Sequence, residues 1–153
     1  MSTKIIKLIH PYLLVSRILD LLQPVALVAA RIYVAWVFFA SGLTKIKDWD
    51  TTLFLFEEEY SVPLLNHELA ALLATVGELV FPIILAFGLL SRFGALSLSV
   101  INIVAVISLQ EIAPAAYFLH VIWGILLTQV IIFGGGKFSA DFFIKKKFVE
   151  SIK

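Results

Sequence analysis

Arg31 and Glu78 carry the charges hardest to reconcile with their neighbours, because each stands inside a long apolar run of the chain. An arginine at a bilayer centre costs about 2.5–3.5 kcal/mol on insertion scales, and a carboxylate is similarly unfavourable unless it meets a cation or takes up a proton. The chemistry open to such a pair is that of a polar site in apolar surroundings. The cation can hold an electron-rich oxygen, and the carboxyl group can carry a proton. Asn102 and Gln129 add amide donors and acceptors from two further apolar runs. Arg31, Glu78, Asn102 and Gln129 are therefore expected to converge as a ligand-binding layer, with Glu78 the candidate proton carrier. Lys45 and His120 form a weaker outer layer. The competing reading of the deep layer is an internal salt bridge that only fixes helix register.

The elements that must position these residues are membrane-spanning helices. Hydrophobic residues make up 61% of the 153 residues, and the mean hydropathy is +1.01, well beyond the soluble norm of about 45–50% apolar. Four apolar runs are read as spans, covering about residues 24–44, 67–90, 93–109 and 116–133, each near the length of about 20 residues that a bilayer requires. The connections are short, so neighbouring spans must run antiparallel. The expected fold is an all-α integral membrane protein, a four-helix antiparallel bundle. Residues 1–23, with Lys4, Lys7, Arg17 and Asp20 among apolar residues at helical spacing, are expected to form a separate amphipathic helix lying in the interface. Residues 24–141 then form the membrane domain and 142–153 a basic tail.

Charge sorts by side of the membrane. Lys4, Lys7, Arg17, Arg92, Lys137, Lys145, Lys146, Lys147 and Lys153 fall on the side of the termini, against Lys45 and Lys47 on the other. The excess of basic residues on cytoplasmic loops predicts that both termini are cytoplasmic. Glu57, Glu58 and Glu59 read as a solvated face of a short helix over residues 51–60. The chain has no cysteine, so it forms no disulfide, thiolate metal site or thiol relay of its own. His10, His67 and His120 offer no pair at matching depth for haem. No metal, covalent cofactor or nucleic-acid partner is expected.

Several short motifs resemble those of the DoxX family of bacterial membrane proteins. They are the arginine early in the first span, the exit Ser41-Gly42-Leu43-Thr44-Lys45, Glu78 in the second span, and Gly88-Leu89-Leu90-Ser91-Arg92-Phe93-Gly94-Ala95. The stretch Gly134-Gly135-Gly136-Lys137-Phe138-Ser139-Ala140-Asp141 is similar to the family's closing Gly-Pro-Gly-x-x-Ser-Leu-Asp pattern, with Gly135 in place of the proline and Ala140 in place of the leucine. The resemblance spans roughly residues 25–141 and implies a small four-span inner-membrane protein. Its relatives include a subunit of thiosulfate:quinone oxidoreductase, so it also implies a quinone-linked role beside a soluble or membrane redox partner. A quinone would find donors in Arg31, Asn102 or Gln129 and ring contacts in Trp36, Phe39, Phe81 or Trp123. A non-catalytic anchor or assembly subunit, and a small proton-coupled transporter using Glu78, are the alternatives.

Overall fold

A computed structural model describes the backbone of residues 3–151 and the side chains of residues 10–151. The described residues form six helices: α1 (Thr3–Lys47), α2 (Trp49–Glu58), α3 (His67–Phe87), α4 (Ser91–Ser108), α5 (Pro114–Phe133) and α6 (Ala140–Ser151). Four of these, α1 from His10 onward, α3, α4 and α5, are long and apolar enough to cross a membrane. Among the described residues there is no strand, only an isolated bridge between Tyr60 and Leu109.

The expected break between an interfacial segment and the first span is absent: α1 runs through both Pro11 and Pro24. A proline within a helix removes one backbone hydrogen bond and crowds the carbonyl four residues earlier. Here that is not enough to end the helix. Forty-five residues give a rod about 68 Å long at 1.5 Å per residue, more than twice the hydrocarbon thickness. Burial in the bundle begins only at Leu27; side chains from His10 to Ala26 are exposed except for partial cover at Ser16 and Pro24. The first half of α1 therefore overhangs the bundle. The predicted basic positions Lys4 and Lys7, and Lys153 at the other end, lie outside the described side chains.

The bundle is turned inside out relative to a soluble protein. Along α3, Leu69, Leu72, Leu73, Val76, Val80 and Ile83 are exposed, whereas Ala70, Ala71, Thr75, Gly77, Glu78 and Pro82 are buried. Lipid is as apolar as leucine, so helices associate through small residues and polar contacts. Gly42 and Gly77 show how closely they approach. A methyl on Gly42 would stand 3.0 Å from Leu79 and 3.1 Å from the Glu78 Cβ, and one on Gly77 would stand 2.6 Å from Ile101. These two glycines draw α1 and α4 against the part of α3 that carries Glu78. The main apolar core lies beside this contact, with Val34, Phe38, Leu85, Leu98, Leu127 and Val130 as its largest buried members.

The helix ends are defined by caps. Asn66 accepts from the Leu69 amide at 2.9 Å to begin α3, and Gly88, in the left-handed region at φ +68°, ends it. Asp48 begins α2 by accepting from the Thr51 amide at 3.0 Å. That backbone bond, with a second from the Thr51 hydroxyl, holds the Asp48 carboxyl below its ordinary pKa. Thr52 then donates to the Lys45 carbonyl at 3.0 Å, tying α2 to the last turns of α1. The helix predicted over residues 51–60 is α2, and its Glu57, Glu58 and Glu59 are exposed.

Candidate functional site

The buried ion pair is not the one expected. Glu78 accepts from Lys45 Nζ at 2.6 Å, with side-chain exposures of 8% and 18%, and Lys45 also donates to the Ser41 hydroxyl at 2.9 Å. Arg31 does not reach Glu78. Its guanidinium donates to the carbonyls of Gly135 at 2.5 Å and Phe138 at 2.9 Å. The reason is the overhang of α1, which shifts its register against α3. Gly42 packs on Glu78, and Arg31 lies beside Gly88. Ten residues of α3 separate those two levels, about 15 Å of axial rise, too far for an arginine stem to bridge. Arg31 thus sits at the rim of the bundle on the side of the termini.

The rim holds a latch built from two of the glycine-rich motifs. Asp141 accepts from the Leu90 amide, the Ser91 amide and the Ser91 hydroxyl, each at 2.7 Å, and so satisfies orphan donors at the start of α4. Its own amide donates to the Gly88 carbonyl at 3.0 Å. Burial alone would raise the Asp141 pKa. The Ser91 and Leu90 donors and the nearby Arg31 charge outweigh that effect and hold the carboxyl below its ordinary value. Gly135 has no room for a side chain, since a Cβ there would collide with Ser91 Oγ and stand 2.5 Å from Ser139 Cβ. Ser139 in turn donates to the Gly136 carbonyl at 2.7 Å. Arg31, the α3–α4 turn and the α5–α6 loop are thereby fixed to one another.

Asn102 and His120 form the second internal polar pair. The Asn102 side-chain amide donates to the His120 carbonyl at 2.9 Å, and its oxygen lies 2.8 Å from His120 Nδ1. The His120 ring meets Trp123 edge-on at 4.8 Å, and Trp123 meets Phe38 at 6.0 Å. Gln129 is half-buried and makes no side-chain hydrogen bond among the described residues. The contacts between helices place Ser41 and Lys45, Glu78, Asn102 and His120 at nearly one level. Each of the four spans supplies a member of this layer, but α1 supplies Lys45 rather than Arg31, and α5 supplies His120 rather than Gln129.

A cavity of about 190 Å³ adjoins the ion pair between α3, α4 and the segment after α2. Lys45 and Glu78 lie on its wall with Tyr60 and Ser108, and the remaining lining is apolar. Tyr60 stacks on Phe56 at 4.8 Å. Burial, then the Glu78 and Glu59 charges, raise its pKa and keep its phenol a donor. The Ser108 hydroxyl is buried and has no hydrogen-bond partner among the described residues. Leu73 and Val100, which also line the cavity, are half-exposed on the lipid-facing surface. Nothing in the apolar pattern marks Tyr60 or Ser108 as site residues; the return of the chain after α2 brings Tyr60 there, and Ser108 ends α4 on the same wall. Among the described residues, no cluster of His, Asp and Glu suits a metal ion.

Four apolar helices packed about buried ionic groups define a multi-pass membrane protein. The chain belongs to the DoxX family, whose profile matches residues 26–111. A protein of Haemophilus influenzae described as uncharacterized is similar to it, 35% identical over 131 residues that cover 80% of this chain and 85% of that protein. No solved structure matches. The matched segment contains Arg31, Lys45, Glu78 and Asn102, while His120 and the latch residues 134–141 lie beyond it.

Proposed function

We propose that this protein is the membrane subunit of a quinone-linked redox complex in the bacterial inner membrane, with both termini cytoplasmic, and that the cavity beside Lys45 and Glu78 receives the quinone headgroup. The observation that carries the reading is the Lys45–Glu78 pair on the wall of an otherwise apolar cavity, with the Ser108 hydroxyl buried and unpaired at the same place. An apolar cavity of about 150 Å³ accommodates one benzene ring, so 190 Å³ suits a single substituted ring. Lys45, Ser108 and Tyr60 would donate to ring carbonyls, and the half-exposed Leu73 and Val100 would flank an isoprenoid tail leaving toward lipid. A quinone supplies two-electron carrier chemistry when bound, with its electrons delivered by the partner subunit. Glu78, beside the Lys45 ammonium, would pass on the two accompanying protons one at a time.

The test is binding of decyl-benzoquinone to purified protein in mild detergent, followed by quenching of tryptophan fluorescence. The variant is Lys45→Met with Glu78→Met, which removes both charges and leaves no unpaired ion behind. Saturable binding by the native protein and none by a folded double variant is expected. Equal quenching in both, or none in either, would remove the quinone reading and favour a non-catalytic anchor.

A further inference from the structure

A second cleft, remote from the ion pair, lies where the start of α4 faces the α5–α6 loop. It has a volume of about 610 Å³. Three cations line it: Arg92 from α4, Lys137 from the loop and Lys145 from α6. The one acid in the lining, Asp141, already has its carboxylate oxygens engaged by Leu90 and Ser91 and lies within the field of Arg31. The cleft is therefore strongly positive. Arg92 donates from one nitrogen to the Ile132 carbonyl at 3.2 Å, leaving most of its five N–H donors free for a planar anion. Lys137 and Lys145 make no hydrogen bond or ion pair within the described residues.

The apolar part of the lining is as informative as the charged part. Phe93, Phe133 and Phe142 border the same cleft, with exposures of 54%, 57% and 42%. Phe93 is in the first turn of α4 and Phe133 ends α5, so both stand at the boundary where a span leaves the hydrocarbon. A free anion has no use for aromatic walls. A lipid uses both surfaces, its phosphate among the cations and its acyl chains along the rings, as in basic pockets between helices at the membrane edge.

We propose that this cleft is a binding site for the phosphodiester headgroup of an anionic phospholipid, held by Arg92, Lys137 and Lys145 and bordered by Phe93 and Phe133. The site is independent of the quinone cavity, since its cations and rings are shared with none of the residues there. Its occupant bridges α4, the loop and α6, and adds an external tie beside the Asp141 latch.

Native mass spectrometry of the detergent-solubilised full chain tests this directly, titrating phosphatidylglycerol, phosphatidylcholine or inorganic phosphate. The variant is Lys137→Gln with Lys145→Gln, which breaks no contact of the fold. A control, Lys146→Gln with Lys147→Gln, removes equal charge outside the cleft. The native protein should retain phosphatidylglycerol in preference to phosphatidylcholine. At about fivefold per basic residue, the cleft variant should lose about thirtyfold in affinity for it, while the control should lose clearly less. Equal retention of both lipids, equal loss in cleft and control variants, or inorganic phosphate binding as tightly as the lipid would each overturn the proposal.

Discussion

Replacing Lys45 with methionine removes the cation that Glu78 meets at 2.6 Å, and leaves a carboxylate only 8% exposed with no other charged partner among the described residues. Breaking a buried pair from one side costs about 3–5 kcal/mol, because the surviving charge keeps its desolvation and loses its attraction. The 18% exposure of the Lys45 side chain argues for the low end, about 3 kcal/mol. Glu78→Gln preserves shape and leaves an ammonium that can still donate to Ser41 and to the new amide, so about 2 kcal/mol is expected. The double variant buries no unpaired charge. Its loss should also be about 2 kcal/mol, which leaves a coupling of about 3 kcal/mol, the top of the range for residues in contact. Denaturant titration in mixed micelles, read by tryptophan fluorescence on all four proteins, supplies the cycle. A coupling below about 0.5 kcal/mol would mean that the pair contributes nothing specific, and the account of α1 held to α3 through this bond would fail.

Three further outcomes follow from the same geometry. Arg31→Met and Glu78→Gln should be additive within about 0.5 kcal/mol, since the residues share no partner; a larger coupling in the same titration would contradict the register described for α1. Asp141→Ala should cost about 2 kcal/mol, the upper end for loss of a helix cap, and should also alter the acid limb of a stability profile. The folded-state pKa of Asp141 is depressed, so its contribution is complete above about pH 4 and disappears as the pH falls through the lower folded value; a variant with an unchanged acid limb would refute this. Gly135→Ala should cost about 1–3 kcal/mol by overpacking against Ser91 and Ser139, measured as a fall in detergent melting temperature, whereas an unchanged value would show that the loop yields freely.

The number of spans and their order are legible because a bilayer imposes length and apolarity on each, and because short turns leave no freedom in direction. The end at Gly134 follows from the run of three glycines, whereas the second span, read to residue 90, ends at Phe87 with Gly88 as its cap. Register was not legible in the same way. Pro24 looks like the beginning of a span, but the loss of one hydrogen bond does not end a helix, so counting seven residues from it puts Arg31 about 10 Å, or two turns, too deep. That displacement exchanges the partners: Lys45, close to the end of its helix, reaches inward to Glu78, while Arg31 turns to loop carbonyls that no apolar pattern announces. Asp141 was hidden differently. Its carboxylate caps a helix that begins fifty residues earlier, a relation that local spacing cannot reveal, although both halves of the latch stand out as runs of glycine, serine and aspartate.

The latch also orders events in time. The carbonyls that Arg31 requires come 104 and 107 residues later in the chain. At about 5–20 residues per second, the arginine and the open start of α4 must wait several seconds or longer for the segment that completes them. During that interval the first three spans stand in the membrane with a cation and several backbone donors supplied only by water and lipid headgroups. A chain that stops short of residue 135 never leaves this state even with its last span complete, so the segment after that span fastens the fold, and truncated or early-fused versions of the protein report on an unfastened bundle.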